Sequence, residues 1–291
     1  MTADGIDEGA LRGWIGRSVR ECDTLTAAPF ALLSATLDRP ADLPAAGTAL
    51  PPLWHWLYFL PRHRQAELGP DGHARLGGFL PPVPLPRRMW AGSQLVFHRA
   101  LHVGEHVTRT SSVEDVSVKR GRSGTLVFIK VRHDIAGEAD GAPALTEHHD
   151  IVYRAASVVG VGVAATEPVR APAVARWRRT IAPDAVLLLR YSALTFNGHR
   201  IHYDRQYATE VEAYPGLVVH GPLLATLLLD LVRREHADAQ VTAFTFRALR
   251  PVFDLRPFDV CGAADVDARG ARLWIADADG WLAMDAHATF A

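Results

Sequence analysis

The stretch Gly221 to Glu235, GPLLATLLLDLVRRE, limits what this chain can fold into more than any other. Pro222 suits a first helical turn, where its missing N–H is no loss, and apolar residues fill nearly every position from Leu223 to Val232. A helix that is apolar all round cannot lie on a surface, so something must wrap it. The natural wrapper is the set of β-rich segments that follow it, Phe258 to Asp267, Arg272 to Ala276 and Trp281 to Phe290. A shorter helical segment, Ala185 to Tyr191, precedes it.

The first half of the chain carries a similar strand meander in Thr108 to Val118, Thr125 to Asp134 and Thr146 to Arg154. A faint repeat accompanies it. Arg99-Ala100-Leu101 lies ahead of the first meander and Arg247-Ala248-Leu249 ahead of the second, about half the chain apart. Between them, Ala155 to Pro183 has the small, Gly- and Pro-bearing composition of a linker. The first-half counterpart of the apolar helix is expected at Pro52 to Leu60, whose aromatic run from Trp54 to Phe59 reads as core. These features predict an α+β protein in the double hot dog arrangement, each half an antiparallel sheet around a helix. The halves are expected at residues 1–165 and 176–291.

The 31 Lys plus Arg and 32 Asp plus Glu leave a formal charge of −1. Neither nucleic acid nor an anionic membrane is therefore an expected partner; a small molecule or a second copy of the chain is. The two cysteines, Cys22 and Cys261, form no CxxC pair, so no disulfide framework or thiolate metal site is expected. The uncharged run from Leu43 to Pro61 contains Pro44, Pro51 and Pro52, which disfavour a membrane-spanning helix. The acidic start lacks the pattern of an export signal, and a cytoplasmic setting is expected.

Chemistry concentrates in Tyr191 to Leu228. Asn197, His199, His202 and Asp204 fall close together, and Gly221 opens the apolar helix shortly afterwards. A helix N-terminus presents unpaired N–H groups and a positive dipole end, so it can hold a developing oxyanion. An imidazole of ordinary pKa ~6.5 can take a proton from water at neutral pH. Together they describe a site for adding water to an activated carbonyl compound.

This segment resembles the motif of MaoC-like (R)-specific enoyl-CoA hydratases. It is most similar to the double hot dog branch that contains type 2 3-hydroxyacyl-thioester dehydratases and mesaconyl-C4-CoA or itaconyl-CoA hydratases. The resemblance implies that His202 is a catalytic base, that Asp204 matches a frequent acidic position, and that the Gly221 amide binds the thioester oxygen. The family's loop Asp is Asn197 here, and an amide cannot take and release a proton as a carboxylate does. The expected role of Asn197 is to orient the water. The implied reaction is hydration of a 2-enoyl-CoA, or the reverse, on a short dicarboxyl acyl group, with the acyl-CoA as partner and no cofactor or metal. The first half, lacking such a motif, is implied to shape the acyl pocket.

Other readings stay open at this point: a 3-hydroxyacyl-ACP dehydratase, a thioesterase using Asp204, or a non-catalytic acyl-thioester-binding subunit. For the substrate's charges, Arg87 or Arg88 is the candidate anchor of an acyl carboxylate, since a guanidinium pairs a carboxylate in two-pronged fashion. Lys119 and Arg122, in a Gly-bearing turn, and Arg247 and Arg250 are candidates for coenzyme A phosphates. His199, His202 and Asp204 together could form a metal triad, but no further ligand cluster accompanies them. His148-His149 reads as the end of a sheet.

Overall fold

The computed structural model describes residues 5–121, 124–138, 141–155 and 168–291. In chain order the elements are α1 (Glu8–Arg12), β1 (Ser18–Thr24), α2 (Ala27–Thr36), β2 (Arg87–Phe97), β3 (His106–Gly121), β4 (Gly124–Gly137) and β5 (Pro143–Arg154). There follow β6 (Trp177–Ile181), α3 (Ala185–Leu194), α4 (Gly221–Glu235), β7 (Val241–Ala248), β8 (Phe258–Ala264), β9 (Gly270–Ala276) and β10 (Leu282–Phe290). All the strands form one antiparallel sheet in the order β1-β3-β4-β5-β2-β7-β10-β9-β8-β6. The order is palindromic: each half arranges its five strands alike, and the halves join through their second strands, β2 and β7. At that seam Gly92 is required, because a β-carbon would lie 2.3 Å from the Phe246 carbonyl oxygen.

Helix α4 is enclosed as its composition demands. Every residue from Leu223 to Val232 is buried, against β6, β8, β9 and β10. The one charge in that run, Asp230, is 2% exposed and holds Arg39, Arg179 and Arg234 by hydrogen bonds, tying α4 to the end of α2 and to β6. Arg233 and Arg234 also stand in the last helical turn, where cations suit the dipole. Among the described residues no helix is long and apolar enough to cross a membrane, a statement that does not bear on β-barrels.

Three expectations need correction. Pro52 to Leu60 contains only a single 3-10 turn, Trp54–Leu57, entered through Leu53 in the left-handed region (φ 71°). Prolines at 51 and 52 and the bulky aromatic run do not favour a longer helix. Trp54, Leu57, Tyr58 and Phe59 are nonetheless buried in the main core. The linker composition of Ala155 to Pro183 hides an edge strand, β6, whose alternation is too short to read against the small residues around it. His148 and His149 lie in the middle of β5, not at its end. Part of that linker, including residue 165, lies outside the described residues.

Candidate active site

The motif loop follows α3. Asn197 Oδ1 accepts the His199 backbone N–H at 3.0 Å, a turn typical of Asn, and a 3-10 turn over Arg200–His202 then carries His202 inward. His202 is 7% exposed and its Nδ1 lies 2.7 Å from the Val218 carbonyl oxygen. A carbonyl only accepts, so Nδ1 carries the proton and Nε2 keeps a lone pair. Burial pushes the imidazole down to about 4, against the pull of that hydrogen bond, so the ring is neutral at neutral pH.

The chain segment that supplies Val218 runs on into α4, so one strand of loop fixes both the base and the helix start. His220, fully buried, is the N-cap of α4 and stacks on His202 with ring centroids 3.7 Å apart. Its Nε2 meets Ser192 Oγ of α3 at 2.8 Å, and its Nδ1 has no partner. Gly221 is half-buried, and a β-carbon built there meets nothing within 4 Å. Its N–H belongs to the first turn, where no intrahelical acceptor exists.

The first half reaches into this loop. Arg200 N donates to the Asp71 carbonyl at 2.9 Å and Arg200 Nη1 to the Pro70 carbonyl at 3.0 Å. Asp71 accepts from His73 twice, at the backbone N (3.1 Å) and at Nδ1 (2.9 Å). Burial raises the Asp71 carboxyl, but its bonds from His73 outweigh this and hold it below the ordinary range. His73 packs on His199 at 4.1 Å and His199 stands edge-on to His202 at 5.3 Å. A row of four imidazoles, His73, His199, His202 and His220, thus runs from the first half to the start of α4. Burial, the largest cause in each case, lowers all four pKa values.

Sequence reasoning missed Asp71, His73 and His220. The signal for His220 was its position directly before Gly221; Asp71 and His73 had none, being distant in sequence and unmarked by any motif. Asp204 lies beside the motif but faces Arg200 (2.7 and 3.0 Å) and caps the Tyr207 N–H (3.0 Å). Its carboxylate holds a turn together and is paired, which removes it from a metal set with His199. Among the described residues, Asp71, His73 and His199 are the group with ligand atoms within 4.8 Å of one another.

The two arginines on β2 part company. Arg87 is 8% exposed, with Nε 3.1 Å from Glu212 and Nη2 2.7 Å from the Glu212 carbonyl. Arg88, on the opposite face, has no hydrogen bond or ion pair among the described residues. Lys119 is exposed on the β3–β4 hairpin over Phe128, and Arg122 lies outside the described residues. Arg247 is exposed on β7, and Arg250 stands over Trp281 at 5.9 Å. The hairpin and the β7 end lie in different halves, and the structure does not gather these cations with the imidazole row.

Residues 53–254 match the family described as Hydroxyacyl-thioester dehydratase type 2, a span that holds the 3-10 turn, the Asp71 loop, the motif loop and α4. The chain belongs to this family. It is 47% identical over 246 residues to mesaconyl-C(4)-CoA hydratase of Chloroflexus aurantiacus, covering 84% of this chain and 86% of the relative. It is 29% identical over 277 residues to the mitochondrial hydroxyacyl-thioester dehydratase type 2 of Schizosaccharomyces pombe, covering 82% and 88%. Among solved structures it is similar to a MaoC-like dehydratase (TM-score 0.70, 15% identity, 97% of this chain and 99% of that one). A Mycobacterium tuberculosis protein described as having a double hot dog fold is also similar (TM-score 0.59, 14% identity, 95% and 96%). Membership makes the chain a hydro-lyase, and the strand order and the enclosed helix agree with the double hot dog fold of its structural neighbours.

Proposed function

We propose that this family member adds water across the double bond of a 2-enoyl-CoA whose acyl group is a short dicarboxyl chain of the mesaconyl type, or catalyses the reverse dehydration. The observation that carries the reading is His202: a buried, neutral imidazole with its Nδ1 proton tied to Val218, stacked on His220, the residue that precedes Gly221 at the start of α4. The dicarboxyl chain is supported by the relative named for that substrate, matched along most of both chains.

In the hydration direction, Nε2 of His202 takes a proton from water as the water oxygen bonds to the β-carbon. The π electrons of the double bond pass through the α-carbon to the thioester oxygen, which becomes an enolate oxygen on the Gly221 N–H. The dipole of α4 favours negative charge there, and the donor is in place before the reaction begins. The enolate then collapses, the α-carbon takes the proton back from the imidazolium, and His202 returns to neutral. Asn197, whose Oδ1 accepts the His199 N–H, orients the water through the loop that this bond holds. Residues 1–165 supply the Asp71 loop and the acyl pocket, residues 176–291 the base and the oxyanion site, and no cofactor is needed. The family and the S. pombe relative are described by a hydroxyacyl thioester, a term that covers acyl carrier protein as well as coenzyme A, and a 3-hydroxyacyl-ACP dehydratase is the second reading.

Loss of enoyl absorbance with a panel of enoyl-CoAs tests the reaction. Turnover is expected, with or without prior chelation. Thiol release from saturated acyl-CoA without hydration would favour a thioesterase. Loss on chelation and recovery with zinc would place an ion on Asp71, His73 and His199.

A further inference from the structure

The inner face of the first half carries polar atoms that the reaction above leaves unused. In the β2–β5 register Leu95 lies opposite Glu147, Ser93 opposite His149, Trp90 opposite Ile151 and Arg88 opposite Tyr153. Residues directly opposite each other share a face, so these eight line one surface. At one end of it the donors and acceptors are matched: Glu147 accepts from Ser93 Oγ at 2.8 Å and from Trp56 Nε1 at 3.0 Å, and meets His55 Nε2 at 3.1 Å.

At the other end they are not. The Tyr153 residue is 1% exposed and its hydroxyl is buried without a hydrogen-bond partner among the described residues. Across from it, Arg88 has no counter-charge among the described residues. The Arg88 charge depresses His73, His199 and His149, each already lowered chiefly by burial, and it also acts on Tyr153. The guanidinium is thus within electrostatic reach of this face and of His73 and His199 in the imidazole row. The buried Tyr153 hydroxyl is a donor that lacks an acceptor among the described residues, which is costly unless a ligand supplies it, and the half-buried, unmatched Arg88 lies opposite it in the register.

In an unsaturated dicarboxyl chain of four backbone carbons, the free carboxylate sits on the same carbon that receives the hydroxyl. Its anchor must then stand beside the base, not at the far end of a long pocket. We propose that the Arg88 guanidinium and the Tyr153 hydroxyl form the subsite for that carboxylate, the first as a two-pronged donor and the second as a single one. This assignment rests on the dicarboxyl reading above. It also separates Arg88 from Arg87, whose charge is met by Glu212 on the other face.

Catalytic efficiency on mesaconyl-C4-CoA and on 3-methylcrotonyl-CoA, which carries a methyl group where the first has its carboxylate, tests the subsite. The wild type is expected to favour the dicarboxyl substrate. Arg88→Gln is expected to lower the ratio of the two efficiencies ~10-fold to 10²-fold, the usual effect of losing a charged hydrogen bond, with Arg88→Lys between and Tyr153→Phe smaller in the same direction. Because the readout is a ratio, a variant that is merely less well folded leaves it unchanged. A wild-type preference that survives in Arg88→Gln overturns the subsite and leaves the substrate reading standing. A wild type that prefers the methyl compound overturns both.

Discussion

Gly72 of the first half sits directly against the carbonyl oxygen of Gly198 in the motif loop. A β-carbon at Gly72 would lie 1.8 Å from that oxygen, and the residue has φ +90°, a region costly for any side chain. Gly72→Ala must therefore push the Asp71 loop off the motif loop. Displacement of about an ångström at a catalytic group can cost ~10²-fold in rate, and kcat/KM is expected to fall by that order while the sheet remains folded by circular dichroism. Wild-type efficiency in this variant would show that the two loops need not touch.

Replacing His202 tests the base itself. His202→Ala is expected to lose ~10²-fold or more in turnover. The base is active when neutral, so activity falls as pH drops through its pKa, which burial holds down to about 4 in the free protein. The wild-type kcat/KM profile should accordingly stay level from pH ~8 to well below the ordinary imidazole value of ~6.5, with the acid limb under it. An acid limb centred at or above that value would mean another group, or an exposed His202.

Asn197 has a structural bond and a free amide N–H₂, and two variants separate them. Asn197→Asp keeps the acceptor for the His199 N–H, and Asn197→Ala loses it. Retained activity in the Asp variant and a loss of ~10-fold or more in the Ala variant is the expected pattern for an oriented water. If the Asp variant is as inactive as the Ala variant, the N–H₂ donor is what the water requires.

The buried Glu147 predicts acid instability. Burial raises its carboxyl, yet the bond to His55 and the nearby His133 and His149 outweigh this and hold it well below the ordinary range. A depressed carboxyl stabilises the fold above its unfolded pKa, and that stability is lost as pH falls. His133 is pushed down to about 4 and His149 to about 3, chiefly by burial, so between pH ~6.5 and those values the unfolded chain binds protons the folded chain refuses. Both effects have the same sign. Urea unfolding at pH 7.5 and 5 should show lower stability at the lower pH, and Glu147→Ala, which strands the Ser93, Trp56 and His55 donors, should cost ~3–5 kcal/mol at pH 7.5. A variant as stable as the wild type would mean the cluster is already relaxed by solvent.

Periodicity and composition made α4 legible to the residue, together with both strand meanders, because these patterns are local and the burial they imply is strong. The same locality placed Asn197, His202 and Gly221 in one stretch, so the candidates for base and oxyanion donor could be proposed from the string alone. The 3-10 turn at Trp54–Leu57 and the edge strand Trp177–Ile181 were not legible, since a short element has too few residues to show a period. Tertiary structure alone decided that Asp71 and His73 join the motif loop, because a backbone contact between Gly72 and Gly198 leaves no trace in composition or spacing. It alone separated Arg88 from Arg87 as well: adjacent residues on a strand face opposite ways, and only the register of β2 on β5, with its irregularity between Trp90 and Gly92, says which of the two looks inward.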